Sequence, residues 1–205
     1  MFQSLFATRL YSARLAARLV RELEPACLAI AAEDRAGQRW AREHGYKGYT
    51  SYASLDDLTI RSPEIAALER VLDKHVALFA RDAAFDLSKA RGGRRKLKMD
   101  SIWINVMGKG GIHAPHIHPH AVISGTVYVA TPPGSGAITF EDPRLGLMMA
   151  APPRKESAKA ERRSFVRLAP RAGTLLLWES WLRHGVEASA TADPRISVSF
   201  NYRLD

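Results

Sequence analysis

From Ser101 onward the chain is cut into short β-rich runs by proline and glycine. Ser101–Met107 (SIWINVM) alternates, with Ile102, Ile104 and Val106 on one face and Trp103, Asn105 and Met107 on the other. Val122–Val129, Ala137–Phe140, Ser164–Leu168, Thr174–Trp178 and Ile196–Tyr202 follow as further runs. They are separated by Pro132-Pro133-Gly134, Pro143, Pro152-Pro153, Pro170, Gly173 and Pro194. Many short strands at this spacing predict a β-sandwich or barrel.

Before Gly92 the period is helical. Ser62 is a good N-cap and Pro63 suits the first helical position. Ile65, Leu68, Leu72, Val76 and Phe79 then recur at helical spacing, which predicts one buried face on a helix running to about Ala84. Upstream, Phe2–Ala7 reads as a short strand and Leu10–Ala32 as a helix interrupted or tilted at Pro25, with Leu15, Leu19 and Leu23 as its core stripe. Gly45–Ser54 is aromatic and glycine-rich without a helical period, and reads as loop or short strand. The expected class is α+β, mainly β. One domain, 1–205, is expected, with residues 1–95 packed as an N-terminal layer on a β core at 96–205.

The 205 residues include one cysteine, Cys27, so neither an intrachain disulfide nor a CxxC pair can form. A reducing cytoplasm is the expected compartment. The longest apolar run, Ala26–Ala32, is far short of the ~20 residues that a spanning helix needs. Met1–Arg21 carries four arginines and no acid, as a presequence would, but the strand-and-helix reading accounts for it. The net charge of +9 favours anionic partners or substrates. Much of that charge sits in Ser88–Lys98 and Arg154–Arg167, which lack the interleaved aromatics of a single-strand nucleic-acid platform. Both runs read as solvated loops, and nucleic acid is not the expected partner.

The chemistry concentrates in GIHAPHIHPH, where His113, His116, His118 and His120 fall within eight residues. Residues two apart on a strand share a face, so His116 and His118 can look into one cavity, and His120 with them if Pro119 does not break the strand. Neutral imidazoles suit Fe(II), Zn(II), Cu(II) or Ni(II). His184, which follows the apolar run TLLLW, is the candidate third ligand. In Arg195–Tyr202 (RISVSFNY), Arg195, Ser197, Ser199 and Asn201 share one face and Ile196, Val198, Phe200 and Tyr202 the other. The polar face is either wet or lines a cavity. Arg195 with Ser197 offers a fork and a hydroxyl to one carboxylate.

His116-x-His118, a distal His184 and Arg195-x-Ser197 in a β-rich half resemble the iron(II)/2-oxoglutarate-dependent dioxygenase superfamily. The strings WINV, HIHP, ISGTVYV, EDPR, WLRHGV and RISVSFN resemble more narrowly an H-x-H-P branch of it. The resemblance implies a double-stranded β-helix, or jelly roll, with cofactors Fe(II) and 2-oxoglutarate. It implies metal at His116, His118 and His184, and the far carboxylate of 2-oxoglutarate at Arg195 and Ser197. Asn105 and Tyr128 are expected to line the same cavity. Trp103 reads as packing, and Trp178 and Trp181 as walls beside His184. His118 stands where the superfamily usually has a carboxylate, so Glu141, Asp142, Glu179 and His120 remain alternative ligands. A cupin-like binding module with a structural metal is the non-enzymatic alternative, and a basic nucleic-acid-associated protein the other.

Overall fold

The computed structural model describes residues 1–90 and 93–205. In chain order its elements are β1 (Leu10–Arg14), α1 (Ala17–Glu33), α2 (Arg35–Glu43), β2 (Gly48–Thr50), α3 (Leu58–Arg61), α4 (Pro63–Asp82), β3 (Lys89–Ala90), β4 (Gly93–Arg94), β5 (Leu97–Met107), β6 (His113–His116), β7 (Ile123–Ala130), β8 (Ile138–Glu141), β9 (Phe165–Leu168), β10 (Thr174–Glu179), β11 (His184–Val186) and β12 (Arg195–Leu204). Arg91 and Gly92, which belong to the first basic run and to the change of period, lie outside the described residues.

A six-stranded antiparallel sheet has the order β1-β10-β7-β12-β5-β2, and a four-stranded sheet the order β6-β11-β8-β9. The chain passes between the two sheets at each step from β5 to β12, except at the β8–β9 hairpin within the smaller one. This is the expected double-stranded β-helix, with a layer of helices on the outer face of its larger sheet.

The alternation of β12 decides which face the helices cover. Ile196, Val198, Phe200 and Tyr202 join one apolar cluster with Ile102 and Ile104 of β5, Ile123 and Val127 of β7, and Leu175 and Leu177 of β10. The face of α4 read from the sequence, Ile65 to Phe79, completes that cluster with Leu23, Cys27 and Ile30 of α1. Burying side chains of this size contributes about 1.5–3 kcal/mol each. Ser62 caps α4 as expected, its Oγ accepting from Ile65 N at 3.3 Å, with Pro63 at the first helical position. The Tyr202 hydroxyl donates to Asp73 Oδ1 at 2.7 Å and pins α4 to β12.

Three expectations for the N-terminal part are corrected. The strand is Leu10–Arg14, not Phe2–Ala7, and it pairs with β10 (Leu10↔Trp178 to Arg14↔Thr174). Its exposure alternates as an edge strand's does, so the helix starts at Ala17 rather than Leu10; Leu15 is buried ahead of it, and Leu19 and Leu23 lie on it. α1 runs unbroken through Pro25. An interior proline costs about 3 kcal/mol, a cost offset here by buried Leu23, Cys27 and Ile30 on either side. α4 ends at Asp82, two residues short of Ala84.

The buried carboxylate of Asp34 ties α1 and α2 to β2 and the turn after it. It accepts from Gly37 N (2.9 Å), from the Tyr49 hydroxyl (2.9 Å) and from Ser54 Oγ (2.5 Å). Burial alone would raise its pKa, but these bonds outweigh burial and hold it below the usual carboxylate value. The stabilisation from Asp34 is therefore complete above an unfolded pKa of ~3.9 and is lost as the pH falls through the lower native value. Asp34→Ala, which strands three buried donors, is expected to lower stability by about 2–3 kcal/mol at neutral pH. Denaturant midpoints check this, and an unchanged midpoint would show that the three donors find other partners.

Candidate metal centre

The inner face of β12 meets polar residues on both neighbouring strands. Ser197 lies opposite Asn105 of β5 and Tyr128 of β7, Ser199 opposite Trp103 and Thr126, and Asn201 opposite Ser101 and Ser124. Buried polar side chains need partners, and most find them here. Ser124 Oγ donates to Asn201 Oδ1 (2.8 Å), Asn201 Nδ2 to Ser101 Oγ (3.2 Å) and Asn105 Nδ2 to Ser199 Oγ (3.4 Å). The polar face of the terminal strand thus lines a cavity of about 440 Å³, within the ordinary size range of ligand sites.

His116, His118 and His184 meet in this cavity. One ligand atom from each can be chosen so that all three lie within 4.8 Å of one another. His116 ends β6 and pairs with His184, the first residue of β11. His118 arrives by a different route from the one expected. β6 stops at His116, so strand alternation does not place His118. Instead its backbone N–H donates to Ser180 O (3.1 Å), and its Nδ1 lies 3.4 Å from the Asn201 amide.

The hydrogen bonds fix the tautomers. His116 Nδ1 lies 2.7 Å from Ala114 O and His184 Nδ1 2.9 Å from Leu182 O. A carbonyl only accepts, so both Nδ1 atoms carry the proton and both Nε2 lone pairs are left for a metal. Burial, with smaller effects from neighbouring histidines, pushes His118 down to about 4 and His184 down to about 3, although the Leu182 carbonyl works in the opposite sense on His184. Both rings are neutral at pH 7, the form that binds metal. Trp178 packs edge-on to His184 with centroids 4.6 Å apart, and Phe140 backs Trp178 at 5.2 Å.

Arg195 is a buried guanidinium lining the same cavity. Its Nη1 donates to Ser197 Oγ (3.3 Å) and touches Met107 Sδ (3.6 Å), while its Nε has no partner among the described residues. Burial lowers its pKa and the nearby Tyr128 and Tyr46 work against that. An arginine stays charged through such shifts. Tyr128 does not face the open cavity. Its ring lies under the guanidinium, 5.1 Å from Cζ to centroid, in cation–π range. Asn105 does line the cavity, and its buried Oδ1 is also unpartnered among the described residues.

The alternative ligands lie elsewhere. Asp142 is held by Arg144 through Nε (3.0 Å) and Nη2 (2.8 Å), and Glu141 pairs with Arg183 (3.2 Å). Glu179 accepts from Trp181 Nε1 (2.8 Å) and, with Trp181 and the exposed His120, lines a neighbouring depression. Trp181 is therefore half-exposed rather than a wall of the histidine cluster. Sequence reasoning gave no role to Trp40, Tyr46, Thr50 and Tyr52, which line the cavity from the N-terminal layer. The aromatic character of Gly45–Ser54 pointed to the last three; nothing pointed to Trp40, which lies on α2. Trp103, read as packing, also lines it, with its ring 5.7 Å from that of His118.

The donor set fits a divalent first-row metal, and the uncompensated guanidinium fits an anion beside it. Residues 101–201 match the family described as "Putative 2OG-Fe(II) oxygenase". Over those residues the chain belongs to this oxygenase family. Solved structures extend the likeness to the whole oxygenase fold. The non-haem alpha-ketoglutarate-dependent epimerase SnoN of nogalamycin biosynthesis is 17% identical, with a TM-score of 0.64 over 96% of this chain and 76% of that one. HygX from Streptomyces hygroscopicus, solved with nickel and 2-oxoglutarate bound, is 15% identical (TM-score 0.58, 96% and 82% covered). A Pseudomonas putida prolyl-4-hydroxylase is 14% identical (TM-score 0.58, 96% and 92% covered). At these identities the shared property is the fold. No curated protein matches the sequence.

Burial of neutral imidazoles is expected to make the metal-free protein acid-sensitive. The histidines of the unfolded chain take up protons as the pH falls below about 6.5, whereas native His113 and His118 wait until about 4. Between those values the unfolded state binds more protons, so stability falls as the pH falls; above 6.5 these groups contribute no slope. Denaturant midpoints of metal-free protein should therefore drop between pH 7 and pH 5. A constant midpoint would contradict neutral burial.

Proposed function

We propose that this chain is a non-haem iron(II)/2-oxoglutarate-dependent dioxygenase that hydroxylates a C–H bond of its substrate. One observation carries the reading: three imidazoles with convergent ligand atoms share a cavity with a buried guanidinium that no carboxylate of the described chain neutralises. Iron(II) and 2-oxoglutarate together supply oxidation of C–H by O2, with one oxygen atom going to the product, the other to succinate, and CO2 leaving.

The protein's part is to bind, orient and exclude water. His116, His118 and His184 would hold the iron. Arg195 and Ser197 would take the far carboxylate of 2-oxoglutarate, with the Tyr128 ring fixing the guanidinium from below. Asn105, two residues before Met107 on β5 and opposite Ser197, lines the same cavity. Trp178 and Phe140 shield the histidines. Substrate would enter past Trp40, Tyr52 and Trp103. Among the described residues the cavity wall carries one carboxylate, Asp100, which is itself 3.7 Å from Arg203, so an anionic substrate is favoured. The basic run Arg154–Arg167 is mostly exposed loop and short turn up to Ser164 and then enters β9, apart from this cavity, and nucleic acid has no part in the reading. The single thiol, Cys27, is buried and unpaired, as suits the cytoplasm, and no described helix is long and apolar enough to cross a membrane.

Alanine at His116, His118 or His184 is expected to abolish tight stoichiometric iron, measured by metal analysis after gel filtration, while His113→Ala retains it. Full iron in His118→Ala would remove that residue from the ligand set.

Arg195→Ala should keep iron and lose 2-oxoglutarate. Removing one partner of a buried charge pair costs ~2–5 kcal/mol, or roughly 30- to several-thousand-fold in affinity. Titration of 2-oxoglutarate into anaerobic iron protein, followed by the visible charge-transfer band, reads this directly. An unchanged affinity would remove the clamp. A wild-type protein that shows no band would favour a metal-holding binding module instead.

A further inference from the structure

Tyr46 reaches the cavity from the loop between α2 and β2, outside the stretch that matches the oxygenase family. Its hydroxyl is 2.9 Å from His113 Nε2, and the two rings meet edge to face at 5.5 Å. Both residues line the cavity together with Arg195 and Ser197. The sheet register brings the loop to the Arg195 end. Gly48, two residues beyond Tyr46, pairs with Met107, and Met107 pairs with Arg195 on its other side. Gly48 has φ +147, and a Cβ there would sit 2.4 Å from Val106 O, so glycine lets the loop press onto β5.

The Tyr46–His113 bond holds one shared proton and can be arranged two ways. If the hydroxyl donates to Nε2, only its lone pairs face the cavity, and they would repel an anion bound at Arg195. If His113 Nε2–H donates to the hydroxyl oxygen, the phenolic proton is free to point inward. His113 is buried and lies near Arg195, which keeps the imidazole neutral, so it supplies one N–H and no charge. We propose that Tyr46, oriented by His113, donates a second hydrogen bond to the far carboxylate held by Arg195. Tyr46 touches the oxoacid, and His113 is a positioning residue acting through it. This rests on the dioxygenase reading above.

The test uses anaerobic iron-loaded full-length protein and two oxoacids: 2-oxoglutarate, and 2-oxobutyrate, which has the same oxoacid head without a far carboxylate. Both are titrated into wild type, Tyr46→Phe, His113→Leu and the double variant, with the charge-transfer band as readout. A hydrogen bond to a charged group predicts about ten-fold or more weaker 2-oxoglutarate binding in Tyr46→Phe. Iron content and 2-oxobutyrate affinity should stay at the wild-type level. His113→Leu should weaken 2-oxoglutarate as well, and the double variant should be no weaker than Tyr46→Phe, because one relay cannot be broken twice. Wild-type 2-oxoglutarate affinity in Tyr46→Phe would overturn the proposal, as would equal weakening of both oxoacids, which marks a packing role. If wild type binds neither oxoacid, the dioxygenase reading fails and this inference with it.

Discussion

A guanidinium only 2% exposed, with no carboxylate beside it among the described residues, sets the terms for the inner face of this barrel. Burying such a charge unpaired costs several kcal/mol, and the fold lowers that cost with weaker partners. The Tyr128 ring, Ser197 Oγ and Met107 Sδ each take a part of the guanidinium. Holding Arg195 inward forces Ser197, Ser199 and Asn201 inward with it, and turns Ile196, Val198, Phe200 and Tyr202 outward. The outward apolar row then needs cover, which α1 and α4 provide. The N-terminal layer therefore stabilises the same strand that carries the site.

What could be read in the sequence is what has a period. β12 and β5 each alternate over seven or more residues, and α4 shows five apolar positions on one face behind a Ser-Pro start. These gave the fold class and the inward row of polar residues. β6 and β11 span four and three residues, too few to show alternation, and they exist because they pair with each other and β11 also with β8. β1 lies at the start of the stretch read as one long helix and is a strand through its pairing with β10, while Leu19 and Leu23 of the leucine stripe do lie on α1.

The histidines were legible by type and order, but not by mechanism. His116 is placed by strand pairing, and His118 by a backbone bond to Ser180 together with the Asn201 amide. Neither Ser180 nor Asn201 lies near His118 in sequence. Tyr46 is 67 residues before His113, and no local spacing relates them. Long-range contacts of this kind are created by sheet register, here the row Gly48–Met107–Arg195.

Three neutral imidazoles in place of two and a carboxylate leave this cavity one unit more positive than the usual arrangement in the superfamily. With a divalent metal and Arg195 the local charge would be +3, and the wall offers only Asp100, already beside Arg203. A dianion with one charged end at the metal and the other at the guanidinium removes most of that excess, so its binding and that of the metal support each other. Coupling of this kind is reciprocal: whatever the oxoacid gains from the metal, the metal gains from the oxoacid. On the dioxygenase reading, the missing carboxylate would thus shift part of the work of retaining iron from the protein's ligands to its cosubstrate. The donors that fix the far end of that cosubstrate would then support the metal as well.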